Sequence, residues 1–196
     1  MTLLLLDTNA YLRIAKRVKP LLGVAFGQKD YQLTILEDVE REFQRSPRLQ
    51  INFPWFQDGA LQSERLAKRF RLSRDDREQL DAAASVLRGW VIGNASQYRS
   101  PPSPVDCRVL AFGQLKQAIV VTDDLAMHKL GEEFGIATMH GHDLLRRMLA
   151  AKMVSKADVR GIYRALEANS DLPATWEKDR DTYFPRLFCR EDDDPG

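Results

Sequence analysis

The stretch Leu3-Leu4-Leu5-Leu6-Asp7-Thr8-Asn9-Ala10-Tyr11-Leu12 decides the fold class. Four consecutive leucines are apolar on both faces, which suits a central strand of a parallel sheet covered on both sides. The polar trio Asp7-Thr8-Asn9 ends that strand, and Ala10-Tyr11-Leu12 begins a helix. Open parallel sheets bind ligands just beyond the carboxyl ends of their strands. A carboxylate in this turn is therefore a candidate metal ligand, provided other acids join it.

Working outward, strand and helix alternate. Further strands are expected at Tyr31–Ile35, Ala118–Val121 and Ile136–Met139. Helices are expected at about Asn9–Val18, Glu37–Gln44, Leu61–Phe70 and Arg74–Gly93, where Leu80, Ala83, Ala84, Leu87 and Val91 share a face. More follow at Pro104–Lys116, Leu125–Phe134, His142–Ala151 and Ser155–Ala168, with Gly135 as a C-terminal stop. Leu21–Phe26 reads as a short helix or loop, and Arg45–Gly59, with Pro47 and Pro54, as a connection. Nothing is assigned after Pro173. The alternation predicts an α/β protein with a mostly parallel central sheet and helices on both faces. Residues 1–152 form the main domain, with a helical insertion at about 60–100. Residues 153–196 add a helix and an acidic tail.

The 196 residues suffice for a full core, and 44% apolar with 29% charged residues describe an ordinary globule. Cys107 and Cys189 offer neither a disulfide framework nor zinc spacing, which fits a reducing, cytoplasmic setting. No basic segment precedes the four leucines, so a signal peptide is not expected, nor is a bilayer span. The net charge is only +1, but Glu191 to Asp194 hold four of the acids, so the body before them is more basic. That end reads as a solvated tail.

Asp7 follows the first strand, and Asp123-Asp124 follow the third. Asp106 opens the helix leading into the third, and Glu42 borders the buried stripe of Val39 and Phe43 on the helix after the second. Asp7, Asp123 and Asp124 could each cap the helix they precede, and Ser103 with Asp106 has capping-box spacing. Capping and metal binding are compatible for one side chain. Carboxylates meeting at one edge repel, two charges about 4 Å apart costing roughly 1 to 4 kcal/mol. Such a cluster needs protons or a cation, and oxygen donors suit Mg²⁺ or Mn²⁺.

Four segments in order resemble the PIN-domain nucleases, and among them the VapC-type toxins of toxin–antitoxin pairs. They are Leu3-Leu4-Leu5-Leu6-Asp7-Thr8-Asn9, Val39-Glu40-Arg41-Glu42-Phe43, Asp106-Cys107-Arg108-Val109-Leu110-Ala111 and Val120-Val121-Thr122-Asp123-Asp124-Leu125. Gly135-Ile136-Ala137 resembles that family's last sheet strand. The resemblance covers roughly residues 1–150. It implies a three-layer α/β/α, Rossmann-like PIN fold and Mg²⁺- or Mn²⁺-dependent endonucleolytic cleavage of RNA. It assigns metal-site and catalytic roles to Asp7, Glu42, Asp106 and Asp124, and supporting hydrogen-bonding roles to Asn9, Thr122 and Asp123. A small antitoxin and homodimerisation follow from the same resemblance. The extra residues after about 152 depart from the toxin pattern, and a non-toxin PIN-like protein that processes or binds RNA would share the matching segments.

Arg65, Lys68 and Arg69 lie at helical spacing, with Arg71 and Arg74 beyond them, and form the candidate RNA-binding strip. Phe53, Trp55 and Phe56 read as core or lid. His140 and His142 lack a third ligand at metal spacing and read as surface or loop residues; His128 could help protonate a leaving oxygen, but nothing in the sequence positions it. Val121-Thr122-Asp123-Asp124 also resembles the last acidic motif of haloacid dehalogenase-type phosphatases. Their first motif needs Asp-x-Asp, where this chain has Asn9.

Overall fold

The computed structural model describes residues 1–185, 187 and 188. The acidic tail Glu191–Asp194 and Cys189 lie outside the described residues. Among the described residues five strands form one sheet: β1 (Thr2–Leu6), β2 (Ala25–Phe26), β3 (Tyr31–Thr34), β4 (Ile119–Val121) and β5 (Thr138–Met139). Their spatial order is β2-β3-β1-β4-β5. All neighbours are parallel except the edge strand β2, which runs antiparallel to β3. Leu4 pairs with Leu33 on one side of β1 and with Ile119 on the other, so the leucine run is the sheet's centre.

Among the described residues ten α-helices cover the sheet, and their order explains the site. After β1 come α1 (Thr8–Ala15) and then β3. Between β3 and β4 lie α2 (Asp38–Arg45), α3 (Pro47–Asn52), α4 (Gly59–Lys68), α5 (Arg74–Gly93) and α6 (Pro104–Lys116). The chain then crosses to the other side of β1, and α7 (Leu125–Glu133) links β4 to β5. The strand order therefore reverses between β3 and β4, on either side of β1, and the crevice at that reversal is where such sheets take ligands. The remaining helices are α8 (Gly141–Ala150), α9 (Lys156–Ala168) and α10 (Ala174–Tyr183).

Successive leucines of β1 serve opposite cores, as the two-residue period of a strand requires. Leu4 and Leu6 join one cluster with α1, α8, α9 and α10, including Ile14, Leu145, Ile162 and Trp176. Leu5 joins the other, with Leu80, Leu87, Leu110 and Leu130 from α5, α6 and α7. The segment after residue 152 thus completes the first core. Its Val159, Ile162, Tyr163 and Trp176 are buried.

Two local expectations are corrected and one unassigned segment gains a helix. Leu21–Phe26 is neither helix nor plain loop throughout, because Ala25–Phe26 pairs with Gln32 and Tyr31. The connection Arg45–Gly59 contains α3, with Ser46 as its N-cap and Pro47 in its first turn, where a missing N–H costs nothing. Residues beyond Pro173 form α10, whose Trp176 is fully enclosed. Among the described residues no helix is long and apolar enough to cross a membrane.

Candidate active site

Asp7 is fixed by the strand that precedes it and the helix that follows. Its backbone N–H donates to the Val121 carbonyl at 3.1 Å, tying the ends of β1 and β4 together. Its Oδ1 accepts from the Ala10 amide at 2.6 Å, so Asp7 N-caps α1. Asp124 caps α7 in the same way, with Oδ1 accepting from the amides of Ala126 and Met127 at 2.7 and 3.2 Å. Asp106 closes a capping box with Ser103: its Oδ2 accepts the Ser103 amide at 2.7 Å, and its own amide donates to Ser103 Oγ at 3.2 Å. On α2, Glu42 Oε2 accepts a short hydrogen bond of 2.5 Å from Thr8 Oγ1. Each acid thus commits one oxygen to the scaffold. The second oxygens of Asp106, Asp124 and Glu42 accept no hydrogen bond among the described residues.

The electrostatics show that these acids sense one another. Burial pushes the Asp7 carboxyl up from 3.8 to about 7, and the charge of Asp123 adds to the effect. Hydrogen bonds from Thr122 and Ala10, and the Arg13 charge, oppose it. Burial also raises Glu42, with Asp106 and Asp38 contributing. Burial raises Asp106 too, and Asp124 adds to that. The couplings therefore run from Glu42 through Asp106 to Asp124, and separately from Asp7 to Asp123.

The expected supporting residues take different parts. Thr122 is fully buried between the acids. Its hydroxyl accepts from the Asp124 amide at 3.1 Å and lies 3.3 Å from Met127 Sδ. Asn9 is exposed and borders two clefts. Asp123 is a tie across three helices. Its carboxylate takes Arg13 of α1 at 3.1 Å, the Gly141 amide of α8 at 2.9 Å and Trp176 Nε1 of α10 at 2.8 Å. Burial alone would raise Asp123, but the His140 ring, Trp176, Gly141 and Arg13 outweigh it and lower its pKa. A Cβ at position 141 would stand 2.5 Å from Trp176 Cζ2, so only glycine admits this approach.

His140 lies in the loop before α8, as expected, and is half-buried, whereas His142 on α8 differs from expectation. His142 is buried, and the rings of His128, His140 and His142 stack in a row with centroids 3.9 and 5.3 Å apart. Apolar packing against Trp176 and Tyr183 accounts for that burial. Both His128 nitrogens are engaged: Nε2 donates to the Thr122 carbonyl at 2.9 Å, so Nδ1 accepts from Thr138 Oγ1 at 2.7 Å. His128 has no nitrogen left for a leaving group.

The RNA-binding strip needs a correction at Arg65, which is 1% exposed. Its guanidinium pairs with Glu40 at 2.5 Å, donates to the Phe56 carbonyl at 2.7 Å and lies 3.5 Å from the Phe56 ring centroid. It closes the α2–α4 packing and is out of reach of phosphate. Lys68 is exposed, and Arg69 is half-buried beside Glu37 at 3.8 Å. Phe56 belongs to the core and stacks on Phe43 at 3.9 Å.

Asp7 and Asp124 line one cleft of about 300 Å³, walled by Arg13, Asp123 and, from the start of α10, Pro173 to Thr175. Donor type and charge suit a hard divalent ion; of the three acids with an unengaged oxygen, Asp124 lines this cleft and Glu42 lines the two adjoining ones. Among the described residues, however, no three Asp, Glu, His or Cys side chains already gather tightly enough to hold one ion. Sequence reasoning missed Arg13, Thr8 and Trp176, which act on the acids across long stretches of chain and carry no local motif. Comparison of the chain with family models, curated proteins and solved structures finds no match.

Proposed function

We propose that this chain is a PIN-type, Mg²⁺- or Mn²⁺-dependent endoribonuclease whose metal is held by Asp7, Glu42, Asp106 and Asp124, acting as the toxin of a toxin–antitoxin pair. The supporting observation is the carboxyl edge of the sheet, where Asp7 is buried with its pKa near 7 and Asp106 is coupled to both Glu42 and Asp124. Buried acids with raised pKa values at a strand-order reversal are a physical signature of a catalytic carboxylate cluster. Asp7, Glu42, Asp106 and Asp124 would hold the ion, which would offset their charge and supply an acidified water for phosphodiester hydrolysis.

The chain's own groups do the positioning. Thr8 and Thr122 hydroxyls fix Glu42 and the Asp124 turn. Helix caps hold one oxygen each of Asp7, Asp106 and Asp124, and those of Asp106 and Asp124 leave the second oxygen without a hydrogen bond among the described residues. Arg13, anchored by Asp123 and Asp171, borders the clefts on both sides of Asn9 and offsets the repulsion between acids and an RNA phosphate. In the metal-free chain Asp7 retains its carboxyl proton up to about pH 7.

A second reading, a PIN-like protein that binds RNA without cutting it, is favoured by the lack of an assembled ligand set among the described residues. Incubation of labelled RNA with Mn²⁺ or with chelator separates the two. Cleavage that requires Mn²⁺ and disappears in D7N and D106N, with unchanged circular dichroism, is the expected result. RNA binding by the parent without cleavage and without a calorimetric Mn²⁺ signal would select the binding protein. The toxin role is tested by growth arrest on expression, relieved by co-expression of the short open reading frame expected next to the gene.

A further inference from the structure

The largest concavity among the described clefts, about 670 Å³, is lined by Arg41, Arg69, Arg71, Arg77 and Arg108 with Phe70 in its wall. It lies between α2, the α4–α5 connection, the start of α5 and α6, and none of the four acids lines it. Glu37 and Asp38 are the acids of its lining. Arg108 spans Asp38 and Asp81, while Arg41 and Arg69 share Glu37 at 3.3 and 3.8 Å. The side chains of Arg71 and Arg77 make no ion pair or hydrogen bond among the described residues, and both are exposed. Guanidinium forks match phosphate oxygens, and a concave wall of one charge sign focuses its field. The cleft is therefore short of anions.

Its lining joins it to the acidic edge. Asp38 and Arg41 also line a cleft of about 280 Å³ that contains Glu42. Glu42 and Ser46 in turn line a cleft of about 570 Å³ that contains Asn9 and Arg13. Those two residues border the Asp7–Asp124 cleft. Shared side chains thus make a continuous path from the arginines, past Glu42, to Asp7.

We propose that the arginine cleft is a phosphate-binding subsite for the backbone of the same single-stranded RNA whose other end crosses the acidic edge. This rests on the ribonuclease reading for the identity of the strand, while its binding test needs no turnover. Arg71 and Arg77 are the two free contacts, and Arg69 and Arg41 the supporting ones.

The test is fluorescence anisotropy of a labelled single-stranded RNA of about a dozen nucleotides, within the span of single-strand binding sites, in chelator across a salt series. Each phosphate contact contributes about 0.7 to the log–log salt slope for single strands, so R71A/R77A lowers the slope by about 1.4 and weakens binding about 25-fold near 0.1 M salt. R164A is the control, since Arg164 is exposed on α9 and lines none of these clefts; its affinity stays with the parent's. Equal slopes for parent and R71A/R77A would overturn the subsite, as would a 5′-mononucleotide binding as tightly as the oligomer. Weaker binding by R71A/R77A in a chain that cuts nothing keeps the subsite and removes the nuclease. Metal-dependent cutting with unchanged affinity does the reverse.

Discussion

Asp7→Asn removes a buried charge while keeping the helix cap, and its stability effect can be worked from the structure. The Asp7 carboxyl titrates at about 7 in the folded chain against an ordinary 3.8. Between those values the folded state binds more protons than the unfolded one, so stability falls as pH rises through this window. At about 1.4 kcal/mol per pH unit, the deprotonated carboxylate costs at most about 4 kcal/mol above pH 7 and under about 1 kcal/mol at pH 4. Asn caps helices as well as Asp does, and its Oδ1 can accept the Ala10 amide. Urea unfolding of D7N and parent in chelator, followed by circular dichroism, should therefore show near-equal stability at pH 4. At pH 8 the variant should be more stable by up to about 4 kcal/mol, which for a chain of this size is roughly 10 °C in Tm. Mn²⁺ should raise the parent's Tm and not the variant's. A stability difference between the two proteins that does not change from pH 4 to pH 8 would refute the claim that Asp7 is a desolvated, charge-coupled acid.

Asp124→Ala and Asp124→Asn separate capping from chemistry: the alanine costs about 1 kcal/mol by freeing the Ala126 and Met127 amides, the asparagine much less. Both should abolish cleavage, and cleavage by D124N at the parent rate would remove Asp124 from the site. Arg65→Met should destabilise by about 3 to 5 kcal/mol because Glu40 loses its buried partner, with RNA affinity of the folded fraction unchanged. Denaturation and anisotropy together check this. Trp176→Phe deletes the Nε1 bond to Asp123 and should cost about 1.5 to 3 kcal/mol at neutral pH. Because the Asp123 pKa is lowered by its contacts, that stabilisation is present above 3.8 and fades as pH falls below it, so the W176F penalty should shrink in acid denaturation profiles.

Where local chemistry dictates structure, the sequence could be read. Four leucines need cover on both faces, and β1 lies at the sheet's centre with Leu4 and Leu5 in opposite cores. The Ser103–Asp106 spacing makes a capping box, and Gly135 takes a left-handed φ of 64°. Helical spacing also grouped Arg65 with Lys68 and Arg69, but it could not distinguish an arginine facing water from one facing Phe56 and Glu40. His142 misled for the same reason: its apolar neighbours Trp176 and Tyr183 lie 34 and 41 positions away by number.

The amino-acid order by itself determined the α/β alternation, the central strand and the places of Asp7, Asp106 and Asp124 at strand or helix ends, because periodicity, caps and turns act over a few residues. Only the tertiary structure decided which acids feel each other, that Asp123 ties α1, α8 and α10 together, and which arginines remain free. Those outcomes depend on burial and on distances between residues remote in the chain, and desolvation, which sets the Asp7 pKa, exists only once the surrounding layers have closed.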